Sequence, residues 1–307
     1  MILCCGDALI DMLPRATTSG EPAFAPYPGG AVFNTAIALG RLGAPASFFS
    51  GFSCDFLGDM LRASLAASNV ETSLAHVSDR PTTLAFVRLV EGQAEYRFYD
   101  EGSAGRMLRE TDLPASVGPA AALLFGAISL IAEPCGSAYE ALLRREHATR
   151  VVMLDPNIRP DFIPEPTAHR ARIERMAAMS DVLKFSDDDL AWFGAEGSSD
   201  DAAEAWLARG AKLVLVTKGA RGATAYWRGG RVTVPAQAVQ IVDTVGAGDT
   251  FNAGVLASLW EQGLLTKAAI AALTAKQIEA ALKLGIRAAA VTVSRAGANP
   301  PWRTELG

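Results

Sequence analysis

The chain has 307 residues, of which half are hydrophobic and a fifth are charged, and its formal net charge is −5. This much apolar material supports a large buried core and excludes a disordered chain. The acidic balance argues against a general nucleic-acid binder, because phosphate backbones require a basic surface.

The N-terminal run MILCCGDALID lacks a basic region and reaches Asp7 early, so we expect no signal peptide. The longest apolar run, residues 121–132, is too short to span a bilayer.

The four cysteines show no metal-ligand spacing, which favours buried thiols in a reducing cytoplasm. The three histidines form no HExxH pattern, so zinc hydrolysis and Ser-His-Asp chemistry are poorly supported. We therefore predict a cytoplasmic protein that has no membrane partner.

Apolar strand-like runs alternate with amphipathic helix-like stretches along the chain. Buried strands are predicted at residues 1–5, 46–51, 121–131, 151–154 and 213–217, and helices at 33–42, 57–67, 138–146, 168–178 and 201–208. This alternation predicts βαβ units, and hence an α/β fold with a mostly parallel central sheet flanked by helices. Such sheets bind ligands at the carboxyl ends of their strands.

Residues 82–100 interrupt this alternation, because they are typical of a β-hairpin with Gly92 in its turn. A hairpin inside a parallel α/β chain suggests a small separate sheet, to which residues 12–28 could add edge strands. We predict a single α/β domain over residues 1–307, with a β lid formed by about 12–28 and 82–103 that covers a site. The alternative is an ordinary antiparallel edge of the main sheet.

A glycine-rich turn, Gly246-Ala247-Gly248, joins a strand-like run to a helix-like run. A helix N-terminus offers free N–H groups and a partial positive charge, and glycines let these groups approach an anion closely. Asp249 follows the turn and could cap the helix. It could also accept a proton from a hydroxyl while the turn holds a transferring phosphoryl group. The sequence has no GxxxxGK[ST] motif, so the site is not of the Walker type.

The run DTVGAGDTFNAG at residues 243–254 resembles a signature of the PfkB, or ribokinase-like, carbohydrate kinases. The run YPGGAVFNTA at 27–36 resembles the other signature of that family, and GDALID at 6–11 resembles its opening strand. The three motifs occur in family order. The resemblance implies a ribokinase-like fold with a small β lid, and an ATP-dependent sugar kinase that uses Mg²⁺.

The resemblance also implies roles for individual residues. It makes Asp249 the general base, and it makes the N–H groups of Gly246, Ala247 and Gly248 an anion hole. It assigns contacts with sugar hydroxyls to Asp11, Gly30 and Asn34. Taken alone, Asp11 could be a turn residue at a strand end and Asn34 a helix N-cap.

Two further runs point to a branch of the family. DPNIRP at residues 155–160 resembles an element of the fructokinases and ketodeoxygluconate kinases, which makes Arg159 a candidate contact for sugar oxygens or the phosphoryl group. The run at 96–104 resembles the fructokinase lid, with Arg97 and Tyr99 as candidate substrate contacts.

The run KFSDDDL at 184–190 aligns with the NxxE element of the family, with Ser186 in place of Asn and Asp189 in place of Glu. That element organises Mg²⁺ and phosphate, so the resemblance implies a water-mediated Mg²⁺ contact for Asp189. Helix capping by Ser186 is the alternative. Besides Ser186, the nucleotide-binding candidates are Thr217, Lys218, Gly219, Gly222 and Asn299. Backbone groups of Asp243, Val245, Arg295 and Gly297 are candidate K⁺ ligands.

We therefore expect a sugar kinase that uses ATP and Mg²⁺, with K⁺ as a candidate activator, and fructose is its first candidate substrate. The second is 2-keto-3-deoxygluconate, whose carboxylate would need cations such as Arg97, Arg106 and Arg159. A nucleoside kinase is the third candidate, and a non-catalytic sugar sensor is the fourth. The expected partners are sugar and ATP, with no nucleic acid, and a homodimer through the lid sheets, because an apolar lid face needs cover.

Overall fold

The structure is a computed structural model and describes residues 1–90, 93–194 and 198–307, with backbone alone at 89, 90 and 93–95. The strands are β1 (Ile2–Cys5), β2 (Leu9–Ala16), β3 (Pro22–Gly29), β4 (Ala46–Phe49), β5 (Gly51–Ser53), β6 (Val70–Glu71), β7 (His76–Ser78), β8 (Leu84–Val90), β9 (Gln93–Tyr99), β10 (Ala122–Gly126), β11 (Val151–Asp155), β12 (Val182–Ser186), β13 (Leu213–Thr217), β14 (Ala223–Trp227) and β15 (Gly230–Val234). The α-helices are α1 (Ala31–Arg41), α2 (Phe56–Ala67), α3 (Cys135–Glu146), α4 (Pro166–Ala178), α5 (Asp187–Trp192), α6 (Ser199–Ala208), α7 (Ala247–Glu261), α8 (Lys267–Ala271) and α9 (Ala275–Val293).

A mostly parallel sheet forms the centre of the molecule. In the part of the chain that the structure describes, it has nine strands in the order β15-β14-β13-β12-β11-β10-β1-β4-β6. The pairings from β13 to β6 are parallel, and β14 and β15 extend the sheet as antiparallel strands. One face packs against α1, α7 and α9, and the other against α3, α4 and α6. Burial on both faces explains why these strands are continuous apolar runs, and the predicted α/β class is confirmed.

The predicted run 121–131 differs from the structure. β10 ends at Gly126, and Ala127–Leu130 form a 3₁₀ turn. A Cβ at Gly126 would lie 2.4 Å from the backbone oxygen of Asp155, so the neighbouring strand crowds this position. Apolar character runs through the strand and the turn alike, and it therefore does not mark where the strand ends.

The lid is a separate four-stranded sheet with the order β3-β2-β8-β9. Two antiparallel hairpins, β2–β3 and β8–β9, join through a parallel pairing of β2 with β8. This arrangement is the small separate sheet of the prediction, not an edge of the main sheet. The predicted turn residue Gly92 lies outside the described residues.

The strand order places a candidate ligand-binding crevice between β10 and β1. From β1 the chain moves outward to β4 and β6, and it then returns to β10 on the other side of β1. The carboxyl ends of β1 and β10 therefore form a switch point, where open α/β sheets bind ligands. Among the described residues, no helix is long and apolar enough to cross a membrane.

Candidate active site

Asp249 lies in the first turn of α7, directly after the glycine turn. The N-cap residue Gly246 has φ +78°, and a Cβ there would lie 2.8 Å from the Cβ of Ala298, so this position requires glycine. Asp249 is buried, and its Oδ2 accepts a hydrogen bond from Nδ2 of Asn34 at 3.0 Å. Asn34 lies in α1, so the structure brings together two residues that were predicted to act in one site.

The environment of Asp249 favours the protonated carboxyl. Burial raises its pKa to about 7, the hydrogen bond from Asn34 opposes this rise, and the carboxylates of Asp155 and Asp7 add to it. A carboxyl group whose pKa lies near neutrality can both accept and release a proton at physiological pH.

One cavity lies between the lid and the switch point and has a volume of about 500 Å³. Asp7, which follows β1, lines it, and its Oδ2 accepts a hydrogen bond from the N–H of Ala31 at 2.7 Å. Oδ1 of Asp7 is buried and has no partner in the described parts of the chain. Gly30 has φ +113°, and a Cβ there would lie 2.7 Å from Asp7, so glycine is required at this predicted sugar position too. The sequence analysis did not single out Asp7.

The lid places two aromatic residues on the face of Asp11. Asp11 is in register with Ala85 on β8, and Ala85 is in register with Phe98 on β9. Residues in register share a face, and so do residues two apart on one strand, which adds Tyr96. The Phe98 ring packs edge-to-face on Phe162, with centroids 4.7 Å apart. We therefore regard Tyr96 and Phe98 as lid residues that could contact a substrate.

The predicted substrate contacts Arg97 and Tyr99 alternate with Tyr96 and Phe98 along β9, and their role stays a prediction. Both residues border the cavity, but the alternation of the strand directs their side chains to the face opposite Asp11. The Tyr99 ring packs there on Phe86, with centroids 5.4 Å apart. The sequence shows that side chains alternate between two faces along β9. It does not show which of the two sets shares a face with Asp11 on β2.

Arg159 lies close enough to the first cavity to act on its charges. Its side chain is exposed and donates to the carbonyl oxygen of Ile158 at 2.9 Å. Burial raises the pKa of Asp7 to about 6, and the charge of Arg159 opposes this rise. A contact between Arg159 and substrate stays a prediction.

A buried polar cluster lies where β11 and β12 end. Oδ2 of Asp155 accepts a hydrogen bond from Nδ2 of Asn252 at 2.6 Å, and Nζ of Lys184 lies 3.2 Å from the same oxygen. Asp155, Lys184 and Asn252 are all buried. Sequence reasoning did not assign a role to Lys184 or Asn252. One signal was available, since Lys184 is a lone charge within the apolar strand Val182–Ser186.

A second cavity of about 500 Å³ lies on the other side of the glycine turn. It is lined by the predicted residues Thr217, Gly219 and Gly222 and by Ala247 and Gly248 of the turn. The helix α9 adds an apolar wall that the sequence analysis did not single out, which includes Ile286, Ala289, Ala290 and Val293. A mostly apolar cleft next to an anion-binding helix start can accommodate a nucleotide.

Two predicted nucleotide contacts have other partners in the structure. Nζ of Lys218 donates to Oγ of Ser199 at 2.7 Å. Oδ1 of Asn299 accepts a hydrogen bond from Arg41 at 2.8 Å, which ties the C-terminal segment to α1. Neither residue is among the described residues that line the second cavity, and their nucleotide contacts stay predictions.

Ser186 and Asp189 form a capping box at the start of α5. The N–H of Asp189 donates to Oγ of Ser186 at 3.0 Å, and the N–H of Ser186 donates to Oδ2 of Asp189 at 2.7 Å. Oδ1 of Asp189 accepts the N–H of Ile158 at 2.7 Å. The described ranges contain no group of three or more His, Cys, Asp or Glu residues that could hold a metal ion. Oδ1 keeps one lone pair, so Asp189 suits a metal-bound water better than direct coordination.

Asp243 connects the two segments that were predicted to bind K⁺. Its Oδ1 accepts the N–H of Val245 at 3.0 Å, and its Oδ2 accepts the N–H of Gly297 at 2.9 Å. The carbonyl of Gly297 accepts the N–H of Asn299 at 2.8 Å. The side chain of Arg295 forms an ion pair with Glu305. The carboxylate thus holds the two loops together, and their carbonyl groups stay candidate K⁺ ligands.

Known proteins resemble this chain over nearly its whole length. Residues 1–305 match the pfkB family of carbohydrate kinases. A fructokinase of Rhizobium leguminosarum bv. trifolii is 61% identical over 273 residues, which cover 89% of this chain and 84% of that protein.

Two solved structures share the architecture. A Xylella fastidiosa fructokinase with bound ATP has a TM-score of 0.90 and 29% identity, with 99% of this chain and 97% of that chain covered. A Vibrio cholerae fructokinase bound to fructose, ADP and calcium has a TM-score of 0.83 and 27% identity, with 97% and 94% covered. The chain therefore belongs to the pfkB family of carbohydrate kinases.

Proposed function

We propose that this protein is an ATP-dependent fructokinase. The observation that carries the proposal is the position of Asp249. This buried carboxyl follows Gly248, which lines the second cavity, and it is electrostatically coupled to Asp7, which lines the first. A proton acceptor is thus held between a cavity for sugar and a cavity for nucleotide. The name of the Rhizobium relative supports fructose as the sugar.

The geometry supports a direct transfer between the two substrates. The ionised carboxylate of Asp249 accepts the proton of a sugar hydroxyl while the hydroxyl oxygen forms a bond to the γ-phosphorus of ATP. The bond from that phosphorus to the bridging oxygen breaks, and ADP leaves with the bonding electrons. The N–H groups at the start of α7 stabilise the charge on the transferring oxygens. The products are ADP, the sugar phosphate and one proton.

The described side chains fit a Mg²⁺ ion that arrives with ATP. A divalent ion on the phosphates neutralises charge that develops in the transfer. Asp189 would face it through a water, and Ser186 fixes the orientation of that carboxylate. Activation by K⁺ at the loops joined by Asp243 stays part of the proposal.

The charges of the first cavity favour a neutral sugar over a keto acid. The cavity is lined by more acidic than basic residues, namely Asp7, Asp100, Glu101 and Asp161 against Arg97 and Arg106. Arg106 is already paired with Asp100 at 2.8 Å. A substrate carboxylate would meet repulsion there unless Arg97 or Arg159 paired with it. This argues for fructose and against 2-keto-3-deoxygluconate.

Replacing Asp11 with alanine should weaken the use of fructose. Asp11 lies on the same lid face as Tyr96 and Phe98, which line the first cavity, and its carboxylate could accept sugar hydroxyls there. We expect kcat/KM for fructose to fall by a factor equivalent to about 1–3 kcal/mol, the cost of leaving buried polar groups unpaired. The KM for ATP should stay unchanged, because Asp11 is not on the nucleotide side. Steady-state kinetics checks both values, and an unchanged kcat/KM for fructose would remove Asp11 from the sugar site.

Activity should fall as the pH is lowered through about 7. The raised pKa of Asp249 means that its proton-accepting form is lost below that pH. Burial also raises the pKa values of Asp7 and Asp11 to about 6, so the decline should steepen below pH 6. A profile of kcat/KM between pH 5 and 9 measures this. A plateau that continues down to pH 5 would contradict the role of Asp249.

A substrate panel tests the proposed function. ADP release is measured with ATP and Mg²⁺ against fructose, 2-keto-3-deoxygluconate, ribose, tagatose and adenosine. We expect the highest kcat/KM for fructose. A preference of more than tenfold for 2-keto-3-deoxygluconate would overturn the choice of a neutral ketose. ADP release with no member of the panel would favour the non-catalytic sensor.

The homodimer and the cytoplasmic location also belong to the proposal. The lid face opposite Asp11 exposes the aromatic side chains of Phe24 and Tyr99, which both pack on Phe86. A second lid packed on this surface would remove it from water, which is why we favour a dimer through the lids.

A further inference from the structure

Lys184 is a buried cation beside the glycine turn of α7. Its side chain is 5% exposed, and Nζ lies 3.2 and 3.4 Å from the two oxygens of Asp155. A Cβ placed on Gly248 would lie 3.4 Å from the same Nζ. Because a Cβ on a helix points toward the helix N-terminus, the ammonium lies at the mouth of α7, against the N–H groups that form the anion cradle.

A positive charge at this position is unfavourable if Lys184 only packs beside the helix. The start of a helix carries a partial positive charge, which attracts anions and repels cations. Burial of an ammonium adds a desolvation cost. The carboxylate of Asp155 offsets part of the dipole repulsion and part of the desolvation cost. It does not serve Lys184 alone, because it also accepts a hydrogen bond from Asn252. The arrangement therefore concentrates positive charge where the transferring phosphoryl group would lie.

A purely structural role explains these observations less well. Lys184 and Asp155 connect β12 to β11, and a buried ion pair can serve as such a connection. However, a well-packed apolar pair of similar volume is often as stable. The pair Lys267–Asp181, at 2.8 Å, shows a connecting pair far from the turn, with the lysine one-third exposed. A structural role does not account for a fully buried ammonium directed at Gly248.

We propose that Lys184 is a further catalytic residue, whose ammonium contacts the γ-phosphoryl group of ATP and stabilises its charge during transfer. Asp155 then acts as a positioning residue that holds the ammonium at the turn. The proposal rests on the proposed kinase function, because it assumes that the second cavity receives ATP. It predicts two separable effects, one on turnover and one on recognition of the third phosphate.

The test compares the wild type with Lys184→Met. We expect kcat to fall by about 10²–10³-fold, the size of effect found for one donor of an oxyanion hole. The KM for fructose should change by less than about threefold, because a contact to phosphate does not bind sugar. Calorimetry with ADP and with a non-hydrolysable ATP analogue should show that affinity for ADP is kept while the analogue loses about tenfold or more.

Two further variants make the result decisive. Lys267→Met removes the matched lysine outside the site and should leave kcat and both affinities unchanged. If Lys184→Met does not fold, the pair Lys184→Met with Asp155→Asn removes both charges and carries the same test.

A kcat within threefold of the wild type in the folded variant would overturn the proposal. Equal losses for ADP and for the analogue would do so too, because they indicate a general disturbance of the cavity. The calorimetry needs no turnover, so it reads the role of Lys184 even where the substrate panel shows no sugar kinase activity.

Discussion

Replacing Asp249 with asparagine should lower kcat by about 10²–10⁴-fold, the range of general acid–base catalysis. Asparagine keeps the size of the side chain but cannot accept a proton from the sugar hydroxyl. ATP affinity should be retained, because the N–H groups of the turn and the second cavity are unchanged. Steady-state kinetics and calorimetry with ATP measure the two quantities.

Asp201 provides a matched control for this substitution. It is the third residue of α6, as Asp249 is of α7, and it also stabilises the start of its helix. Asp201→Asn should weaken the start of α6 slightly and leave kcat unchanged. If Asp249→Asn retained near-normal turnover, the carboxylate would not be the base, and the mechanism proposed above would fail.

Replacing Asp155 with alanine should lower the free energy of unfolding by about 3–5 kcal/mol, because it removes the carboxylate that pairs with the buried ammonium of Lys184. The hydrogen bond from Asn252 is lost as well. Urea unfolding followed by circular dichroism measures the change, provided that the transition is a single one.

A double variant separates the charge from the packing. Adding Lys184→Met to Asp155→Ala removes the stranded cation and should restore at least half of the lost stability. Asp181→Ala should cost less than Asp155→Ala, because its partner Lys267 can extend into solvent. Equal losses in the single and double variants would show that the cavity left by the side chain, and not the buried charge, is the cause.

The fold was predictable from the sequence because the two kinds of element have different patterns of apolar residues. Buried strands are continuous apolar runs, whereas amphipathic helices carry apolar residues on one face only. The prediction was less accurate where one apolar run contains two structures, as in residues 121–131, because β10 ends at Gly126 and Ala127 adopts a positive φ of 62°. The sequence also predicted the lid hairpin, but it did not predict on which face of the lid each side chain lies. That face depends on the pairing of β8 with β2, which is a contact between distant segments.

The candidate site was predictable only where it is local in sequence. Gly246–Asp249 is one continuous turn, and its chemistry can be read from four residues. Asp7 instead follows β1, Asp155 ends β11 and Lys184 lies within β12, and only the strand order brings them together. Their shared environment raises the pKa of Asp249, so the titration of the proposed base could not be inferred from its own motif.

The hydrogen bond between Asn34 and Asp249 joins residues that are 215 positions apart. Contacts of such separation form late, because a long loop must close before they contribute stability. During synthesis, the first two hundred residues can begin to build the sheet while α7 has not yet been made. The nascent chain therefore contains the proposed sugar-binding residues long before it contains the proposed base, and on this proposal phosphoryl transfer requires that α7 has packed onto α1. A polypeptide interrupted before residue 249 would lack the proposed base, and we expect it not to transfer phosphoryl groups from ATP.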